Sequence, residues 1–187
     1  MAGKLILDDL KKAVAAGAID TVLTVIVDMQ GRLMGKRMHA EFFVKTAWEE
    51  THCCNYLLAT DMEMSTIDGF KATSWEAGYG DYVMKPDMET LRLIPWLEGT
   101  ALVICDVLDH HSHEEVAHSP RAILKKQIAR LNAMGMKASI GSELEFFLFK
   151  ESYEEAQAKG HRGLTPISGY NEDYHICLTT NKNDATH

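Results

Sequence analysis

The sequence predicts an α+β fold in two successive domains, and three observations lead there. Apolar residues at helical spacing open the chain, short β-branched or continuously apolar runs separated by turn residues follow, and a second helix-then-strand unit begins after residue 115. In the segment 5–19, Leu7, Leu10 and Val14 recur at helical spacing and Gly17 supplies a C-terminal stop, so a short amphipathic helix is expected. Residues 21–27 are rich in Val, Ile and Thr, Gln30-Gly31 punctuates them, and 32–38 alternate again, which is the pattern of a β-hairpin. A helical pattern resumes over 40–50 with Phe43, Ala47 and Trp48, and 55–59 is a short apolar strand candidate. Residues 65–81 hold three glycines and several aromatics without a period, the mark of a long loop, and long loops in compact domains are often functional. Strands are expected at 82–84, 91–94 and 101–107, the last apolar throughout as a buried strand should be. Ser119 and Pro120 suit the N-cap and first turn of a helix over 122–134 that stops at Gly135, and 137–150 reads as a strand of the second domain. A helical piece after 151, a Gly/Pro loop over 160–169 and a weak strand near 174–180 complete the chain.

At 187 residues, with 46% hydrophobic and 25% charged residues, the composition is that of an ordinary globular protein. A net charge of −8 without a Lys/Arg cluster argues against a nucleic-acid partner. The N-terminus lacks the apolar core of a signal peptide, and no apolar run approaches bilayer-spanning length, so no membrane partner is expected. Cys53, Cys54, Cys105 and Cys177 show no metal or disulfide spacing, which fits thiols in a reducing cytoplasm. The dense set His110, His111, His113 and His118 has no cysteine or ordered strand to close a tetrahedral zinc site, and a solvated linker is the simpler account.

Chemistry concentrates in the run 141–149, Gly-Ser-Glu-Leu-Glu-Phe-Phe-Leu-Phe. On a strand, side chains two apart share a face, so Glu143 and Glu145 would lie about 7 Å apart and repel unless a cation joins them. Hard divalent ions take such oxygen ligands. The plainer alternative is a half-exposed strand with its glutamates on the wet side, although Phe147 and Phe149 continue that face and sit awkwardly with it. Asp68 before Gly69 is in itself a turn signal, and Trp75 in the same loop suits a packing or interface anchor.

The same run resembles the Glu-x-Glu-Phe-Phe-Leu-Phe strand of glutamine synthetases, and further segments fall in that family's order. Residues 28–37 resemble the first hairpin of its N-terminal domain. Residues 81–87, with Thr90, Leu91, Arg92, Pro95 and Trp96, resemble the approach to that domain's last strand, and Ser119-Pro120-Arg121 resembles the start of the catalytic domain. The resemblance implies a β-grasp-like N-terminal domain over 1–115 and, over 116–187, the opening of a glutamine-synthetase-type α/β catalytic domain. It further implies a homo-oligomer with active sites between subunits.

The implied activity is an ATP-dependent ligase that joins ammonia or an amine to the γ-carboxyl of glutamate through a γ-glutamyl phosphate. Mg²⁺ or Mn²⁺ would serve as cofactor and ATP as cosubstrate, with Glu143 and Glu145 each ligating one of two ions. Asp68 resembles the aspartate that helps to bind the incoming ammonium and takes its proton. Phe70-Lys71 stands where housekeeping members carry serines, so an organic amine is expected to be preferred to ammonia. The loop 161–170 resembles one near the nucleotide and glutamate sites, while 171–175 depart from the housekeeping pattern. The family's remaining metal, ATP, glutamate and phosphate ligands have no counterpart up to His187, so the chain is expected to be an incomplete and inactive piece. The rival reading is a non-catalytic structural or assembly module, against which the retained Glu143 and Glu145 argue.

Overall fold

The structure is a computed structural model that describes residues 3–169. The chain divides into two compact units, Met1–Ala138 and Ser139–His187.

The first unit opens with α1 (Leu7–Ala15), whose Leu10 is fully buried, and Gly17 ends it at φ +70°. Strands β1 (Thr21–Val27) and β2 (Leu33–His39) pair antiparallel from Thr21↔His39 to Val27↔Leu33, the expected hairpin. The next segment departs from the expected regular helix. α2 (Ala40–Phe42) passes at once into a π turn over Phe43–Ala47, closed by Trp48 N–H donating to Phe43 O at 3.0 Å. The wider turn leaves Phe43 and Ala47 both buried in the core.

The strand expected at 55–59 is also corrected. β3 is Thr51–Cys54, and Asn55–Leu58 forms a 3₁₀ turn. Its start is fixed by Asn55, whose amide carbonyl accepts from the Thr73 hydroxyl at 2.7 Å and whose backbone N–H donates to Gly80 O at 2.9 Å. Such bonds give the backbone an alternative to a ladder. β4 (Asp81–Pro86), β5 (Arg92–Leu93) and β6 (Thr100–Asp109) follow.

The sheet order is β2-β1-β6-β4-β3 with β5 on β6, and β1 runs parallel to β6 while the other pairs are antiparallel. Alternation along β6 places Ala101, Val103, Cys105 and Val107 on one face, all at most 2% exposed. Ala101 and Val103 join Leu10, Val22, Phe43 and Leu91 at one end of that face, and Cys105 and Val107 join Ile26, Leu58 and Met84 at the other. Leu102, Val25 and Ile94 form a smaller cluster. Truncating Leu10 to alanine would cost about 2–5 kcal/mol.

α3 (Pro120–Ala133) begins after Ser119 as expected, but the buried Ser119 hydroxyl makes no capping hydrogen bond. Arg121 reaches Asp106 at 2.7 Å and also pairs with Asp87, and Lys125 reaches Asp106 at 2.9 Å and pairs with Glu115. These ion pairs tie α3 to β6 and its neighbouring segments within the first unit.

In the second unit the strand expected over 137–150 is corrected: residues 139–147 have no ladder partner among the described residues, and strands exist only through partners. Pairing starts at its end, where Lys150 N–H donates to Thr165 O and Ile167 N–H to Leu148 O, around the Phe149↔Pro166 bridge. α4 (Tyr153–Ala158) is the expected helical piece, opened by a Ser152/Glu155 capping box. The strand expected near 174–180 and Cys177 lie outside the described residues.

Candidate functional site

The turn between β1 and β2 is built on one buried carboxylate. Asp28, with its side chain fully buried, accepts from Gln30 N–H at 3.0 Å, Arg32 N–H at 2.8 Å and Arg32 Nε at 2.7 Å. Burial pushes its pKa up, but the Arg32 side chain and the two backbone donors outweigh that and hold the carboxyl below its usual range.

From this turn the side chains of Gln30 and Arg32 cross to the chain after Ala59. Gln30 Nε2 donates to Thr60 O at 2.8 Å, Arg32 Nη2 to Asp61 O at 2.9 Å and Arg32 Nη1 to Met62 O at 2.8 Å. The segment then folds back on itself. Asp61 Oδ1 caps the N–H groups of Glu63 and Ser65 at 2.9 Å each, and Ile67 N–H returns to Ala59 O at 2.9 Å.

Asp68 follows immediately, exposed in a turn whose Gly69 has φ +93°. It makes no hydrogen bond or ion pair within the described residues, so its carboxylate is free to accept from a cationic or neutral amine. Phe70 beside it is 39% exposed. Asn55 anchors the far side of the loop through Thr73 and Gly80. Between these anchors Trp75, 78% exposed, stands edge-on to Tyr79 at 5.2 Å, and Tyr79 stands edge-on to Tyr56. The loop is therefore pinned at both ends and presents its middle to solvent.

A cleft of about 600 Å³ lies between this loop and the segment 109–118, lined among others by Asn55, Tyr79, Asp81, Tyr82, His110 and His118. Tyr82 Oη and His118 Nε2 lie 3.3 Å apart across it, and burial pushes the Tyr82 pKa up. Of the histidines noted above, His110 stacks edge-on against His52 and His111.

In the second unit Glu143 and Glu145 are both exposed and form no ion pair among the described residues. Their oxygens are the donor type that Mg²⁺ or Mn²⁺ takes, but two carboxylates supply a minority of such a shell. No group of three or more His, Cys, Asp or Glu able to hold a metal occurs among the described residues. Nearby, Glu151 accepts from Lys159 Nζ at 2.8 Å and from the Thr165 N–H and hydroxyl. Lys159 first, then Thr165, lower its pKa to about 2 against the opposing effect of burial.

The sequence named Asp68, Glu143 and Glu145, but not the clamp of Asp28, Gln30 and Arg32 or the Asn55 anchor. The clamp's residues stand within the hairpin motif, so a hint was present in Asp28 preceding Gln30-Gly31. Their partners at 60–62 are backbone carbonyls, which no side-chain pattern reveals.

Comparison with known proteins fits these motifs. The family of the glutamine synthetase catalytic domain matches residues 117–186. A gamma-glutamylethanolamide synthetase of Streptomyces coelicolor is 47% identical over 92% of this chain and 37% of its own length. A glutamate–isopropylamine ligase of a Pseudomonas species is 34% identical over 89% of this chain and 36% of its own. The chain thus spans a little over a third of these relatives. A solved structure of GmaS without ligand superposes with a TM-score of 0.50 at 23% identity, over 67% of this chain and 26% of that one, a likeness of fold. Among the described residues no helix is long and apolar enough to cross a membrane. The alignment along nine-tenths of the chain and the ordered motifs agree: this chain belongs to the glutamine synthetase superfamily.

Proposed function

We propose that this chain is the N-terminal part of an ATP-dependent ligase that joins an organic amine to the γ-carboxyl of glutamate. The observation that carries the reading is that the two relatives aligned along about nine-tenths of the chain are both named for coupling glutamate to an organic amine, ethanolamine in one and isopropylamine in the other. On this reading residues 1–115 are a β-grasp domain and 116–187 open the catalytic domain of a homo-oligomer whose sites form between subunits.

Asp68 is the group that takes the amine's proton, which its free and exposed carboxylate suits. Phe70 replaces a polar ring for ammonium with an apolar surface for the amine's carbon substituent. A site without such a ring loses its means of rejecting larger amines. Glu143 and Glu145 would hold Mg²⁺ or Mn²⁺, with the other ligands supplied from beyond the described residues. The ion, when bound, neutralises phosphoryl charge and aligns the groups in transfer.

The test is kcat/KM of the complete gene product for ammonia and for a panel of alkyl, hydroxyalkyl and polyamines. A hydroxyalkyl or alkyl amine should win, and a wide margin in favour of ammonia would make the protein an ordinary glutamine synthetase. The 187 residues alone should release no phosphate from ATP in response to glutamate and amine.

A further inference from the structure

The near end of the loop that carries Asp68 is held by a different part of the chain from its far end, which Asn55 anchors. The near end rests on three consecutive carbonyls, Thr60, Asp61 and Met62, all taken by side chains of the β1–β2 turn. We infer that Arg32, locked by Asp28 and assisted by Gln30, is the positioning residue for Asp68, setting where its carboxylate meets the incoming amine. The inference rests on the reading of Asp68 as the group that takes the amine's proton.

The geometry leaves Arg32 little freedom. Asp28 fixes the guanidinium through Nε, so that Nη1 and Nη2 point as a fork at Met62 O and Asp61 O, 2.8 and 2.9 Å away. A planar fork can satisfy a carboxylate and two carbonyls together, whereas a lysine ammonium is a single point charge on a flexible stem. Beyond the clamp the chain has one closed path. Asp61 N–H donates to Ser65 O, Met64 takes φ +66°, and Ile67 N–H returns to Ala59 O. Asp68 is the next residue. A shift of the three clamped carbonyls therefore moves the whole arch 59–67 and Asp68 with it. The β1–β2 ladder, in contrast, pairs backbone to backbone from Thr21↔His39 to Val27↔Leu33 and does not use the Arg32 side chain.

Two variants test this, Arg32→Lys and the milder Gln30→Ala, which removes the contact to Thr60 and the 3.4 Å contact from Arg32 Nη2 to Gln30 Oε1 but leaves the Arg32 fork on Asp61 O and Met62 O. Hydrogen exchange on this chain should show the amides of Asp61, Met64 and Ile67 exchanging about tenfold faster in Arg32→Lys, with a smaller rise in Gln30→Ala and unchanged protection in β1 and β2. Unchanged protection at those three amides in both variants would overturn the clamp, as would equal loss across β1 and β2.

In the complete ligase, Arg32→Lys should lower kcat/KM for the amine about tenfold without changing KM for ATP or glutamate. Added to Asp68→Asn it should bring no further loss. Full additivity of the two would overturn the positioning role. If Asp68→Asn alone left the rate intact, the reading of Asp68 would be the part that fails, and the exchange data would still decide the clamp.

Discussion

Gly35, in the middle of β2, faces Val25 across the hairpin, and a Cβ built there would lie 2.0 Å from Thr24 O and 2.9 Å from Val25 Cα. The obstructing atoms are backbone of a strand that is itself paired to β6, so no side chain can swing aside. In Gly35→Ala either β1 and β2 must part or their register must slip, and overpacking of this kind costs typically 1–3 kcal/mol. Because the clash is with backbone on a doubly paired strand, about 3 kcal/mol is expected. For a unit of this size that is a fall in Tm of about 6–12 °C. Gly31→Ala in the adjoining turn is the control: its φ is +85° but nothing lies within 4 Å of the added carbon, so it carries only the left-handed strain of about 1 kcal/mol. Urea and thermal unfolding followed by circular dichroism measure both. If Gly35→Ala unfolded within 0.5 kcal/mol of Gly31→Ala, the close approach would be absent in solution and the reasoning wrong.

The ion pairs and thiols give further expectations. Glu151 has its folded pKa lowered to about 2 from an ordinary 4.5, so its contribution to the second unit is complete above the ordinary value and is lost as pH falls through about 2. Titration of the Glu151 carboxyl and the Thr165 amide by NMR should show a midpoint near the lower value, and a midpoint near 4.5 would refute the pairing with Lys159. Arg121→Met leaves Asp87 and Asp106 without their shared guanidinium and should destabilise the first unit by about 2 kcal/mol in urea unfolding, since both carboxylates are largely covered. Burial pushes the thiols of Cys53 and Cys105 up to about 12, so alkylation at pH 8 followed by peptide mapping should spare both in the folded chain and label both in urea.

What the sequence made legible follows the reach of each signal. β1 and β2 were readable because β-branched runs flank a Gln30-Gly31 turn, and α1 because Leu7, Leu10 and Val14 fall on one stripe that ends in Gly17. The apolar composition of 55–59 suits a strand, yet Asn55–Leu58 forms a 3₁₀ turn. What decides against it is a bond from Asn55 to Thr73, a residue 18 positions away that local pattern cannot register. The π turn at Phe43–Ala47 is invisible for a similar reason, since a helical pattern does not say that Phe43 and Ala47 must both reach one core.

The candidate site divides along the same line. Asp68, Glu143 and Glu145 announced themselves by residue type and motif order, while the parts that hold Asp68 in place are contacts from side chains to main chain and leave no trace in spacing. Glu143 and Glu145 show the limit from the other direction. Their strand pattern was read from the alternation of 139–149, yet alternation describes only which side chains share a face, and a strand exists through the neighbours that take its N–H and C=O groups. Among the described residues only its end, at Leu148 and Lys150, finds such partners, in Ile167 and Thr165. Leu144 and Phe147, 86% and 87% exposed, are the apolar surface that a paired and covered strand would bury. At about 25 cal/mol per Å² of apolar area, covering two such side chains would contribute several kcal/mol. Whatever pairs with 139–147 and covers Phe147 therefore also fixes the spacing of Glu143 and Glu145.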